Sequence, residues 1–73
     1  MAMVAESTGT AVIGETAGRI WESLYENGPL TIAKLVKEID GPRDLIMQAV
    51  GWLAREDKIV IREQSRSKVI DLA

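Results

Sequence analysis

The chain has 73 residues, 47% of them hydrophobic and 27% charged, with nine Lys and Arg against eleven Asp and Glu for a net charge of −2. That is one small soluble domain, too apolar for a disordered chain and with no apolar run near the roughly 20 residues that cross a bilayer. It has neither cysteine nor histidine, which excludes disulfides, thiolate nucleophiles, zinc fingers, iron–sulfur clusters and every Ser-His-Asp or Cys-His arrangement.

The first nine residues are small or polar without a period and lack the basic and long apolar regions of a signal peptide, so they read as a loose tail ahead of a domain over residues 10–73. A helical pattern follows. Ile13, Ala17, Ile20, Trp21, Leu24 and Tyr25 fall on one stripe at spacings of three and four, with Glu15, Arg19, Glu22 and Glu26 on the other side. Its start lies at Thr10 acting as a cap or, delayed by Gly14, near Glu15. Asn27-Gly28 ends it, because glycine takes the left-handed conformation past a helix end and Pro29 cannot continue the helix.

Pro29-Leu30-Thr31 is long enough for one short extended bridge, and Thr31 can cap what comes next. There Ile32, Leu35, Val36 and Ile39 make an apolar stripe, with Lys34, Lys37 and Glu38 facing out. Asp40-Gly41-Pro42 breaks this second helix and opens a third, whose inner face is Leu45, Ile46, Ala49, Val50, Trp52 and Leu53. Trp21 and Trp52 are thus expected in the core.

Past Asp57 the period becomes alternating. Antiparallel strands at 59–63 and 68–72, joined by Gln64-Ser65-Arg66-Ser67, oppose Ile59 to Leu72, Ile61 to Ile70 and Glu63 to Lys68. This register gathers four apolar residues on one face and leaves Val60, Arg62, Val69 and Asp71 on the other.

The order of helix, short strand, helix, turn, helix and terminal hairpin resembles a winged helix-turn-helix domain, an α+β fold. The residues that carry the resemblance are Gly14-Glu15-Thr16-Ala17-Gly18-Arg19-Ile20-Trp21, Leu30-Thr31-Ile32-Ala33-Lys34-Leu35, and the stretch Ala49-Val50-Gly51-Trp52-Leu53-Ala54-Arg55-Glu56-Asp57-Lys58-Ile59. They are similar to a family of small stand-alone prokaryotic winged helix domains of unassigned function. Asp57 stands where a glycine is common between the third helix and the wing.

The resemblance implies binding of duplex DNA and a role in transcription regulation in the cytoplasm, with the third helix in the major groove and the wing on the backbone. The residues suited to that chemistry are Gln48 and Arg55 for base edges and Arg43, Lys58, Arg62, Arg66 and Lys68 for phosphates. The charge is distributed accordingly: residues 1–28 hold one arginine against four glutamates, whereas residues 58–73 carry four cations against two acids.

A protein-interaction module of the same fold is the alternative. Met47, Gly51 and Ala54 form a small-residue strip on the third helix that would fit a homodimer or another protein, and a glycine inside a helix invites a reason such as close approach of another backbone. Gly51 packing against the chain's own wing is the competing explanation. Catalysis is not expected: no glycine-rich phosphate loop exists, and Gly14-x-x-x-Gly18 lies on a charged helix rather than in a membrane span. No cofactor, metal or small-molecule ligand is implied.

Overall fold

The computed structural model describes the backbone of residues 2–73 and the side chains of residues 9–73. Three helices, α1 (Ala2–Asn27), α2 (Ile32–Glu38) and α3 (Arg43–Arg55), alternate with strands β1 (Leu30–Thr31), β2 (Ile59–Gln64) and β3 (Ser67–Leu72) in the order α1, β1, α2, α3, β2, β3. The strands form one antiparallel sheet in the order β1-β3-β2, so the last strand is central.

Helix α1 starts at Ala2, well before the expected Thr10 cap, so the stretch read as a loose tail is helical from that residue; Met1 lies outside the described residues. Ala, Met and Glu are strong helix formers, and no proline precedes Pro29 to stop the helix. The helix ends as expected: Gly28 has φ 80° and its N–H donates to the Leu24 carbonyl at 2.9 Å.

Thr31 closes β1 and caps α2, its hydroxyl oxygen accepting the Lys34 N–H at 3.1 Å. Thr31→Ala is expected to cost about 1 kcal/mol of unfolding free energy, measured by urea titration, because it leaves a first-turn amide without a protein acceptor. Asp57 occupies the turn into β2 at φ 60°, a left-handed conformation in which aspartate is one of the few tolerated non-glycine residues.

Every element contributes to the core. Ile20 and Leu24 of α1, Leu35 of α2, Ile46 of α3 and Ile70 of β3 are its most deeply buried large side chains. Thr16, the buried polar residue among the described side chains, donates its hydroxyl to the Val12 carbonyl at 2.8 Å, which removes the cost of burying an unpaired hydroxyl.

The hairpin has the expected register, Ile59 opposite Leu72, Ile61 opposite Ile70 and Glu63 opposite Lys68. It also extends one pair further: Gln64 opposes Ser67, so the turn is only Ser65-Arg66, with Ser65 at φ 51°.

One expectation about the core is corrected, and one apolar residue of the hairpin face stays outside it. Ile61 shares a face with buried Ile70 yet is 45% exposed, because β2 is the edge strand and its outer part runs past the helices. Trp21 and Trp52 are 37% and 38% exposed, and Tyr25 is 69% exposed. They lie at the borders of the apolar stripes, and in so small a domain no further layer covers those borders.

Candidate nucleic-acid interface

Helix α3 turns Ile46, Ala49, Val50 and Leu53 inward, which by its 3.6-residue period leaves Asp44, Gln48, Gly51 and Arg55 along the outward ridge. All four are exposed. Arg55 lies in the last turn, where a cation suits the negative end of the helix dipole. Asp44 lies in the first turn, its carboxylate accepting the Leu45 N–H at 3.0 Å.

Beside this ridge, the wing and the helices enclose a groove of about 450 Å³. The beginning of α2 supplies Thr31, Ile32 and Ala33, α3 supplies Arg43 and Met47, and the hairpin supplies Arg66, Ser67 and Lys68. Three cations from two elements distant in sequence therefore meet at a groove whose lining holds no carboxylate. Among the described residues none of the three makes an ion pair, so their charges are available to an anionic partner.

The other basic residues are placed differently. Arg62 faces Asp71 across the outer side of the sheet at 3.8 Å, and Lys58 approaches Glu56 at 3.5 Å. The Lys58–Glu56 pair is solvent-exposed and Asp71 of the other is half-buried; both pairs offset the charge locally. Lys58 also belongs to a separate groove with Glu22, Glu56 and Asp57, away from the cationic one. Of the seven residues expected to bind DNA, the fold thus gathers Arg43, Arg66 and Lys68 together, sets Gln48 and Arg55 on the adjoining ridge, and leaves Arg62 and Lys58 beside acids.

Along the strip of Met47, Gly51 and Ala54 the surroundings differ from residue to residue. Met47 lines the cationic groove, while Ala54 is half-buried against the core. Around Gly51 no atom lies within 4 Å of where a Cβ would stand, so neither the wing nor any other part of the described chain requires a glycine there. Gly51→Ala is accordingly expected to raise stability by about 1 kcal/mol, read from the shift in denaturation midpoint. A loss of stability would show that the position serves a contact.

Sequence reasoning missed Thr31, Ile32 and Ala33 as the groove floor. The turn chemistry that places α2 under the wing was legible, but the return of the wing onto the helix N-termini is a long-range contact without a local signal.

Among the described residues no helix is long and apolar enough to cross a membrane, and no group of acidic side chains is arranged to hold a metal ion.

Residues 5–72 match the family model described as a winged helix-turn-helix domain, DUF2582. An uncharacterised protein of Methanocaldococcus jannaschii, MJ1608, is 38% identical, over 82% of this chain and 89% of its own length. The crystal structure of AF1382 from Archaeoglobus fulgidus superposes with a TM-score of 0.70 at 16% identity, covering 81% of this chain and 69% of that one. At that identity the likeness speaks for the fold.

Proposed function

The chain belongs to the winged helix-turn-helix family DUF2582, and on that footing we propose that it binds duplex DNA, with the outward ridge of α3 in the major groove and the wing along the backbone. The observation that carries this reading is the convergence of Arg43, Arg66 and Lys68 on one carboxylate-free groove beside that ridge. Phosphate binding needs clustered cations, and an overall charge of −2 does not oppose it where a groove is lined by cations and no carboxylate.

The ridge itself offers few base-reading groups. Gln48 suits adenine and Arg55 suits guanine, whereas Asp44 repels phosphate and Gly51 offers no side chain. Affinity then comes mostly from the backbone and falls steeply with salt. A single module of this size reads few base pairs, so a role in transcription regulation in the cytoplasm requires two copies or a partner.

The test is an amide NMR titration of ¹⁵N-labelled protein with a mixed-sequence duplex at low and at physiological salt. Shifts concentrated at Arg43, Gln48, Arg55 and the 66–68 turn, fading as salt rises, support the reading. Unmoved resonances at low salt reject it.

A further inference from the structure

A second cavity, of about 620 Å³, lies between α1 and the C-terminal end of α3 and shares no residue with the cationic groove. Both tryptophans of the chain, Trp21 and Trp52, line it, and both stay partly exposed instead of closing into the core.

The local sequence of α1 explains why an indole stands open there. A long helical side chain leans toward the helix N-terminus, so Trp21 lies over position 18, where a glycine puts no side chain against it. No atom lies within 4 Å of where a Cβ at Gly18 would stand. On its other side the indole stacks on Tyr25, with ring centroids 5.4 Å apart and planes 11° from parallel. One ring face is thus covered and the other is left to the cavity. The face of an indole is the negative part of its quadrupole and attracts cations, most of all those that carry apolar groups.

The charges around the rings favour the same kind of ligand. Glu22 of α1 and Glu56 and Asp57 at the end of α3 line the cavity against a single cation, Lys58. Three carboxylates less one ammonium leave the lining at −2. Lys58 is drawn to Glu56 at 3.5 Å, whereas among the described residues neither Glu22 nor Asp57 is in an ion pair. The end of α3 adds the negative pole of its helix dipole. The two unpaired carboxylates therefore come from the two different elements that wall the cavity, with Ala17 and Leu53 supplying apolar lining. Among the described residues no acidic side chains are grouped so as to hold a metal ion, so their placement suits a ligand longer than a bare ion.

We propose that this cavity binds an organic dication of the diamine or polyamine class, its ammonium groups on Glu22 and Asp57 and its methylene stem along the indoles. The volume is that of a small-molecule site. A diamine brings the charge that neutralises the lining, and its methylenes gain from the rings and the apolar wall what a strongly hydrated inorganic cation cannot. The site goes beyond the DNA reading and does not rest on it, since the two cavities have no residue in common.

The experiment is a titration of the full chain with putrescine at constant ionic strength, followed by tryptophan fluorescence and by amide NMR. Because both indoles line the cavity, all of the chain's tryptophan emission reports on it. The expected result is a saturable change with half-saturation below about 1 mM. Amide shifts are expected at Gly18, Glu22 and Asp57 and not at 66–68. The monocation n-butylamine is expected to bind at least about 10-fold more weakly, and magnesium chloride to give no saturable change. Glu22→Gln with Asp57→Asn removes both charges while keeping the side-chain shapes, and asparagine accepts the φ of 60° at position 57. That variant is expected to lose at least about 10-fold in putrescine affinity with its circular dichroism unchanged, whereas Lys58→Met, which removes the opposing ammonium, is expected to gain about 3-fold. No saturation with putrescine up to about 10 mM overturns the proposal. So does a response that magnesium reproduces, that n-butylamine matches, or that the double variant retains, because each would come from screening or from another place on the molecule.

Discussion

Replacing Arg43, Arg66 and Lys68 together by alanine is expected to weaken binding to a mixed-sequence duplex by about 100-fold at low salt and to reduce the salt slope of log K by roughly 3, one unit per lost phosphate contact. Measured by fluorescence anisotropy over a salt series, that loss corresponds to about 2.7 kcal/mol, or close to 1 kcal/mol per cation. The three side chains line one groove and none is paired with an acid, so removing them changes the local potential far more than the overall charge alone implies. Arg19→Ala with Lys58→Ala provides the contrast. Arg19 lies on the acidic helix α1 and Lys58 beside Glu56, and their removal is expected to cost less than about 3-fold, in line with long-range screening of charges distant from the ligand. Equal per-charge losses in the two variants would show that net charge, and not the groove, governs binding.

Ile70→Ala is expected to destabilise the domain by about 3–4 kcal/mol, whereas Ile61→Ala, its partner across the hairpin, is expected to cost under about 1 kcal/mol. Both remove the same atoms from residues that face the same side of the sheet and are paired in register. Ile70 is fully buried in the central strand and Ile61 is 45% exposed on the edge strand. A cavity opens only where neighbours close over the deleted methyls. A chain of this length has a total stability of about 4–11 kcal/mol at typical per-residue values, so the first substitution removes a large share of it and the second a small one. Thermal unfolding followed by circular dichroism separates the two, and a similar fall in Tm for both would mean that the outer hairpin packs against something in solution.

The candidate site was half legible. Arg66 was among the cations expected on phosphates, and the cationic bias of residues 58–73 was plain from counting. What could not be counted was direction. Lys58, Arg62 and Lys68 belong to the same hairpin, yet the first lies by Glu56 on the acidic side, the second sits over Asp71, and the third opens onto the groove with Arg43. Those differences come from the way the hairpin returns across the helix N-termini, which brings together residues more than twenty positions apart. Gly51 is the converse case. Its place inside a helix suggested a contact, and the space around it is empty, so its composition signal carried no structural cause within the described chain.

Local chemistry was sufficient for most of what depends on neighbours in sequence, the start of α1 and the length of the hairpin turn excepted. The left-handed stop at Gly28, the Thr31 cap, the break at Gly41-Pro42 and the hairpin register each follow from a side chain acting on backbone groups a few residues away, or from a period of two that permits one alignment. Periodicity also told which way each side chain points. It could not tell whether anything lies there. Trp21, Tyr25, Trp52 and Ile61 all point along apolar stripes and remain partly in solvent, while Ile20, Ile46 and Ile70 on the same kinds of stripe are sealed. Coverage is set by the lengths and crossing of separate elements, by β2 running past the helices and α1 reaching beyond the sheet. Only the tertiary structure decides those dimensions, and with them where the domain keeps its core and where it is left with surfaces to offer a partner.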